Sequence, residues 1–320
     1  MTRNSREKFI WRLIRLMIEM EDFSTMVQQK IPDKDYMYSG HVACPGCGAA
    51  IAMRFALKAL GEKTMMVIPA CCWGVIAGPY PQTSLKVPIL QTAFATAGAT
   101  ASGLRAALDM KGDTETTVVA WAGDGGTFDI GIQALSGAVE RNEDFIYVCY
   151  DNEAYMNTGV QRSSATPFGA RTTTTPGKDW KRSRKKNMTE ILAAHRIPYA
   201  ATASIAFPED MIQKFNYAKQ LKGGTRFLHV FASCPTGWRI PTEISVKIAR
   251  LAVQTNVFPL YEIKNGINYT LNYKGDRPVT DYLKVQGRFK HLTDDDFEKI
   301  QNMVDEDWKL LLLKMENKTV

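Results

Sequence analysis

The sequence predicts an α/β protein, a parallel β-sheet with helices on both faces, and three observations carry that prediction. Apolar runs of strand length recur at residues 64–68, 116–121, 145–150 and 227–231, continuous rather than alternating, as in strands covered on both sides. Segments of helical period separate them, and strands that alternate with helices pair in parallel. The chemically distinctive residues fall just past the predicted strand ends, where a parallel sheet binds ligands.

Taken in order, the first element is an amphipathic helix. Ile10, Leu13, Ile14, Met17 and Ile18 recur at i, i+3, i+4, i+7 and i+8, with basic residues on the other face. Arg12, Arg15 and Glu19 interrupt residues 9–20, so these cannot span a bilayer, and no small-residue cleavage site follows. Residues 1–36 are expected to be an extension docking on this domain or on a partner, and the protein is expected in the cytoplasm, away from membranes. A helix over 49–60 is closed by Gly61, and the strand 64–68 ends at Pro69. Residues 92–108 are rich in small side chains and predict a helix packed closely on the sheet.

The strand 116–121, a helix over 130–141 and the strand 145–150 follow. Next come a helix over 189–195, a strand over 199–203, a helix over 208–221 and the strand 227–231. Beyond residue 240 the pattern changes to a helix over 243–254, a hairpin turning at Asn265-Gly266, and a last helix from Asp294. Thr293 is the expected cap of that helix, with Asp294, Asp295 and Asp296 in its first turn and Phe297, Ile300 and Val304 along one face. Residues 37–240 read as the functional domain, and residues 241–320 as helices and a hairpin for packing or interfaces.

At 320 residues and 45% apolar content the chain can bury a sizeable core. The formal net charge of +7 is densest at residues 178–186, KDWKRSRKK. Only Trp180 interleaves with that run and no nucleic-acid fold signature accompanies it, so it reads as a solvated loop and no nucleic-acid partner is expected. Six unevenly placed cysteines do not suit a secreted disulfide framework and point to metal or redox use in a reducing compartment.

Cys44-Pro45-Gly46-Cys47 is a Cys-x-x-Cys pair, Cys71-Cys72 follows the strand 64–68, and Cys234 follows the strand 227–231. The Cys-x-x-Cys pair, one of the adjacent cysteines 71 and 72, and Cys234 make four cysteines spaced like the ligands of an iron–sulfur cluster. Gly123-Asp124-Gly125-Gly126 follows the strand 116–121, and a second loop, Asp151-Asn152-Glu153-Ala154, follows the strand 145–150. A carboxylate and an amide oxygen at two adjacent strand ends are hard ligands suited to magnesium, and the glycines let backbone amides approach phosphate oxygens.

The Gly-Asp-Gly to Asn pair resembles the thiamine diphosphate motif. Four fuller strings look like the β subunit of pyruvate:ferredoxin oxidoreductases, in the 2-oxoacid:ferredoxin oxidoreductase family. They are Gly-His-x-Ala-Cys-x-Gly-Cys-Gly from residue 40, Ala-Gly-Asp-Gly-Gly-Thr-x-Asp-Ile-Gly from 122, Tyr-Asp-Asn-Glu-Ala-Tyr-Met-Asn-Thr-Gly-x-Gln from 150, and Cys-Pro-Thr-Gly-Trp from 234. The resemblance runs over residues 32–255 and implies a thiamine diphosphate-binding fold, with thiamine diphosphate, Mg2+ and a 4Fe-4S cluster as cofactors.

By that resemblance Cys44, Cys47, Cys72 and Cys234 are the cluster ligands, and Asp124, the Asn152 side chain and the Ala154 carbonyl hold magnesium. Asn157 is the catalytic residue, reaching the substrate or the reacting thiamine carbon. Gly46, Cys47, Gly48, Gly123, Gly125, Gly126, Tyr155 and Thr158 complete the cofactor-binding set. Choosing Cys72 over Cys71 rests on this matching, since Cys71 stands where the family has a small residue. Cys71 is then expected to be a buried thiol and Cys149 a core residue.

The implied reaction is oxidative decarboxylation of pyruvate with coenzyme A, electrons passing singly to the cluster and then to ferredoxin. The implied partners are an α subunit, which supplies the pyrimidine-binding domain and an activating glutamate, and γ and δ subunits. Val42 replaces a frequent Arg and the N-terminal helix is longer than usual, so oxalate, 2-oxoglutarate, branched-chain and aryl 2-oxoacids stay open as substrates. A zinc-binding subunit, its cysteines forming a structural site, is the alternative of a different class. His41 reads as a proton carrier or a structural group, and Gln161 and Arg162 as pocket or loop residues. His195, His229 and His291 have no partner at ligand spacing and receive no role.

Overall fold

The computed structural model describes residues 31–316, so the amphipathic helix expected at residues 9–20 lies outside the described residues. Helix α1 (Gly48–Leu60) precedes strand β1 (Thr64–Pro69), helix α2 (Cys72–Ile76) and strand β2 (Ile89–Thr92). Helix α3 (Ala97–Met110) leads to β3 (Thr117–Gly123), a π-turn over Gly126–Ile130, α4 (Ile132–Glu140) and β4 (Ile146–Asp151). Then follow α5 (Met188–Ala194), β5 (Tyr199–Ser204), α6 (Pro208–Gln220), β6 (Arg226–Phe231) and the short α7 (Pro235–Trp238). The chain ends with α8 (Ser245–Gln254), β7 (Tyr261–Lys264), β8 (Asn268–Leu271), α9 (Val279–Leu283) and α10 (Asp294–Glu316).

The strands form one sheet in the order β2-β1-β3-β4-β6-β5-β7-β8. The first six are parallel, as predicted, with Val119 opposite Ile146 and Ile146 opposite Arg226 in the centre. β7 runs antiparallel to β5, and β8 antiparallel to β7, so the sheet is mixed at one edge. The hairpin at Asn265-Gly266 therefore extends the sheet instead of packing apart from it. Its alternation explains the difference, because Tyr261, Ile263, Tyr269 and Leu271 turn inward while Asn268 and Thr270 face out. Residues from Ile31 onward form one compact unit. β2 was not predicted: four half-exposed residues at an edge carry too little apolar pattern to read.

Alternate residues of the central strands feed two cores, one on each face. Val119 and Trp121 of β3 and Ile146, Val148 and Tyr150 of β4 join α1, α6 and α8 on one side. Val118, Ala120, Ala122, Tyr147 and Cys149 join α3, α4, α5 and the end of α10 on the other. Cys149 is a core residue, as expected. The small residues of α3 serve close packing, since a Cβ on Gly98 would lie 3.0 Å from the backbone of Ala134 in α4. Thr293 caps α10 as predicted: its Oγ1 accepts the Asp296 N–H at 3.3 Å, and its own N–H donates to Asp296 Oδ2 at 3.0 Å.

From β1 the chain steps outward to β2 and then returns to the other side of β1 as β3. Strand order reverses there, which opens a crevice beyond the carboxyl ends of β1 and β3.

Candidate active site at the carboxyl edge of the sheet

Two adjoining cavities occupy that edge. The first, about 180 Å³, lies in the β1/β3 crevice and is lined by Cys71, Cys72, Phe94, Gly123–Gly126, Tyr150, Asn152 and Ala154–Thr158. The second, about 200 Å³, is lined by Cys44, Cys47, Cys72 and Cys234, with Val42, Val75 and Val160 among its apolar walls. Cys72, Asn152, Met156 and Asn157 line both cavities, so they form the wall between them. The structure thus brings the four predicted cysteines, Asp124 and Asn152 to one sheet edge.

In the first cavity three oxygens converge. The side-chain oxygen of Asn152 faces Asp124 Oδ1 at 3.1 Å and the Ala154 carbonyl at 2.9 Å. With no cation the amide would be better turned over, its nitrogen donating to both. With a cation the amide oxygen would instead point at it, and these two separations match the edge of about 3 Å of an octahedron with metal–oxygen bonds of about 2.1 Å. Asp124 is 1% exposed, and burial, then the charge of Asp151, raises its pKa well above the usual carboxylate value against a 2.5 Å hydrogen bond from Ser163 Oγ. A buried carboxyl of this kind ionises when a divalent cation sits beside it. The residues present therefore fit magnesium.

Gly125 leaves room for the ring of Tyr155, whose place a Cβ would take. That ring is fixed by its hydroxyl, which donates to Asp129 Oδ2 at 3.0 Å, and by Phe94 at a centroid distance of 5.8 Å. The π-turn that follows Gly125 is the kind of irregularity found at functional sites, and it holds Asp129 near the loop. Thr158 Oγ1 donates to Gln161 Oε1 at 2.8 Å, so Gln161 braces the loop.

In the second cavity every described cysteine is a free thiol. Burial, then the neighbouring Cys71, Cys234 and Cys47, pushes Cys72 up to about 12. Burial pushes Cys234 up to about 11, with Cys47 and Cys44 adding to the rise. Thiols that oppose one another's ionisation fit a polycation placed among them, which would make all four thiolates. Among the described residues no three His, Cys, Asp or Glu groups converge on a point that could hold one ion. Cys44, Cys47, Cys72 and Cys234 line one common cavity.

Other expected positions fall differently. Gly46 and Gly48 line neither cavity: a Cβ would lie 2.6 Å from Thr242 O at Gly46, where φ is +70°, and 2.6 Å from Ser233 N at Gly48. They let the Cys44–Cys47 turn sit against the Cys234 loop, and Ser245 Oγ donates to the Gly46 carbonyl at 2.6 Å. Cys71 lines the first cavity beside Tyr150, and burial raises its thiol pKa.

Two readings need correction. His229 was given no partner, yet its Nε2 lies 2.7 Å from Asp151 Oδ2. The run 178–186 is a solvated loop only in part: Lys178, Asp179, Arg182, Ser183 and Arg184 are exposed, but Lys181 is 3% exposed and donates to the Ser164 carbonyl at 3.2 Å, while Lys185 reaches Asp151 Oδ2 at 2.5 Å. Lys181, Lys185 and Lys186 turn inward to meet carboxylates and carbonyls that no local pattern reveals.

Comparison with known proteins agrees with the geometry. Residues 73–230 match the thiamine pyrophosphate enzyme, C-terminal TPP binding domain. The ketoisovalerate oxidoreductase subunit VorB of Pyrococcus furiosus is 53% identical over 292 residues, covering 88% of this chain and 94% of that one. The pyruvate synthase subunit PorB of Methanocaldococcus jannaschii is 49% identical over 298 residues, covering 89% and 99%. A solved 2-oxoglutarate:ferredoxin oxidoreductase from Magnetococcus marinus aligns at TM-score 0.55 and 24% identity, over 72% of this chain and 83% of that chain, and shows the shared fold.

Proposed function

The chain belongs to the 2-oxoacid:ferredoxin oxidoreductase family, and from that premise we propose that it is the subunit holding thiamine diphosphate, magnesium and a 4Fe-4S cluster in a complex that oxidatively decarboxylates pyruvate. The observation that carries the proposal is the shared wall between the oxygen-lined and cysteine-lined cavities, Cys72, Asn152, Met156 and Asn157. Bound there, thiamine diphosphate supplies a carbon nucleophile and electron sink, and the cluster accepts electrons one at a time.

The chain's own residues do the rest. Asp124, Asn152 and the Ala154 carbonyl would hold magnesium, with the backbone of Gly123–Gly126 near the diphosphate. Asn157, on the dividing wall, would orient the substrate. Tyr155 and Met156 close the loop over the cavity and exclude water. Cys44, Cys47, Cys72 and Cys234 would hold the cluster. Zinc in a structural site would leave the protein colourless, so visible absorption of the purified complex separates that reading from the cluster.

Among the described residues lining the first cavity there is no glutamate, which supports an α partner that supplies one. γ and δ subunits, ferredoxin and coenzyme A are the remaining proposed partners. Among the described residues no helix is long and apolar enough to cross a membrane. A branched-chain 2-oxoacid is the second reading, favoured by 53% identity to the ketoisovalerate enzyme's subunit against 49% to that of pyruvate synthase.

A substrate panel tests the proposal. The complex co-purified with its α partner is assayed with coenzyme A, a viologen dye and each 2-oxoacid in turn. Fastest dye reduction with pyruvate is expected; a clear preference for 2-ketoisovalerate selects the second reading, and no reduction with any 2-oxoacid overturns both.

A further inference from the structure

Lys185 and Arg288 line neither cavity of the site. We infer that they are positioning residues for the magnesium-holding turn, an inference that rests on reading Asp124, Asn152 and Ala154 as that site. Along this turn successive residues face opposite ways. Asn152 and Ala154 line the cavity, while Asp151 and Glu153, 0% and 1% exposed, enter a separate internal network. Glu153 has φ +67°, a left-handed conformation unusual for a side chain of its size, which persists only where the surroundings over-determine it.

The surroundings do so. Glu153 Oε1 accepts from Lys185 Nζ at 3.1 Å, its Oε2 accepts from Arg288 Nη2 at 2.5 Å, and its carbonyl accepts from Thr166 Oγ1 at 2.7 Å. Asp151 Oδ2 accepts from Lys185 Nζ at 2.5 Å, with His229 Nε2 at 2.7 Å, and Oδ1 accepts the Glu153 N–H at 2.8 Å. Lys185 thus bridges the two carboxylates on either side of Asn152.

Arg288 closes the network from the other end of the chain. Its guanidinium lies 4.2 Å over the ring of Trp238, and Trp238 Nε1 donates to the Asn152 carbonyl at 2.8 Å. Trp238 belongs to the loop that carries Cys234, so one ladder of contacts joins the cation-holding turn to the cysteine loop. Two buried carboxylates are matched by two cations, and a buried charge stays in place only while paired. Without the charge of Lys185 a carboxylate is left unmatched, and with lysine at 288 the planar fork that meets Glu153 and Gln286 while lying over Trp238 is lost, so in either case the turn must relax. The oxygens of Asn152 and Ala154 then lose their spacing. Outer partners of metal ligands usually change affinity about 10- to 100-fold when removed.

The test uses the complex with its α partner, stripped of magnesium and thiamine diphosphate. Magnesium–thiamine diphosphate is titrated back and followed by calorimetry and by the half-saturating concentration in the dye assay, for Lys185→Met, Lys185→Arg, Arg288→Lys and Asp124→Asn. Binding is expected to weaken about 10- to 100-fold in Lys185→Met and Arg288→Lys and to recover largely in Lys185→Arg, with kcat at saturating cofactor near the parent's. Folded Lys185→Met and Arg288→Lys complexes that bind as the parent does, losing only thermal stability, overturn the inference. Should Lys185→Met not fold, Arg288→Lys, which keeps the charge, decides alone. Parent-like binding in Asp124→Asn overturns the site itself; lost binding there, with parent-like binding in the Lys185 and Arg288 variants, overturns only the positioning roles.

Discussion

Cys71 and Cys72 are adjacent in sequence, yet only Cys72 lines the cavity shared with Cys44, Cys47 and Cys234. Cys71 faces Tyr150 and the β3 loop instead. Cys72→Ala is therefore expected to abolish bound iron, and Cys71→Ala to keep it, as read from iron content and visible absorption of the purified complex. The reverse pattern would falsify the ligand assignment. His229 makes a second case at the scale of one residue. Burial holds its pKa below 6.5, despite Asp151 beside it, so below about pH 6.5 the unfolded chain binds a proton that the native chain resists. The unfolded state then holds more protons, and native stability falls as pH drops. His229→Gln keeps a donor toward Asp151 and is expected to flatten that fall between about pH 6.5 and 5 in urea titrations. A slope as steep as the parent's would show that the loss arises elsewhere.

Among the elements, α1 and the Cys234 loop show how close approach builds a site. The Gly48 N–H donates to the Ser233 carbonyl at 2.9 Å, and a Cβ on Gly48 would lie 2.6 Å from Ser233 N and 2.7 Å from Ser233 O. These are backbone atoms that cannot swing aside. Gly48→Ala is expected to cost about 1–3 kcal/mol and to lower iron content, because α1 must back away and carry Cys47 from Cys234. An unchanged melting temperature together with full iron content would contradict it. The sheet divides in the same way between what patterning reveals and what it hides. β3 and β4 were legible because burial on both faces makes them continuous apolar runs. β2, half-exposed at one edge, and the pairing of β7 with β5 were not, because an edge strand is chosen by its neighbour and not by its own composition.

At the scale of the whole molecule the motifs are scattered and the fold collects them. Cys72, Asp124, Asn152 and Cys234 each lie just past or at the end of a different parallel strand, and their convergence needed only the rule that parallel strands end on one side. That much was legible, whereas Cys44 and Cys47 precede α1 and are brought in by its close approach to Ser233. Lys185 stands 34 residues from Asp151, and Arg288 stands 135 from Glu153, in the tail read as packing. No period or spacing links them. With the activating glutamate proposed to come from the α partner, the purified chain alone is expected to reduce no dye, and reduction by the chain alone would overturn that partner's role.

The sequence by itself determined the alternating α/β layout, the strand ends at which chemistry collects, and the cysteine and oxygen side chains placed there. Those features depend on short-range order: the period of burial, and the residue type that a given ligand requires. Tertiary structure alone decided which glycines serve packing rather than the cavity, how the hairpin closes the sheet, and which cations match Asp151 and Glu153. Such pairings are set by the free energy of burying charge and backbone together, and that depends on neighbours in space which the order of residues does not display.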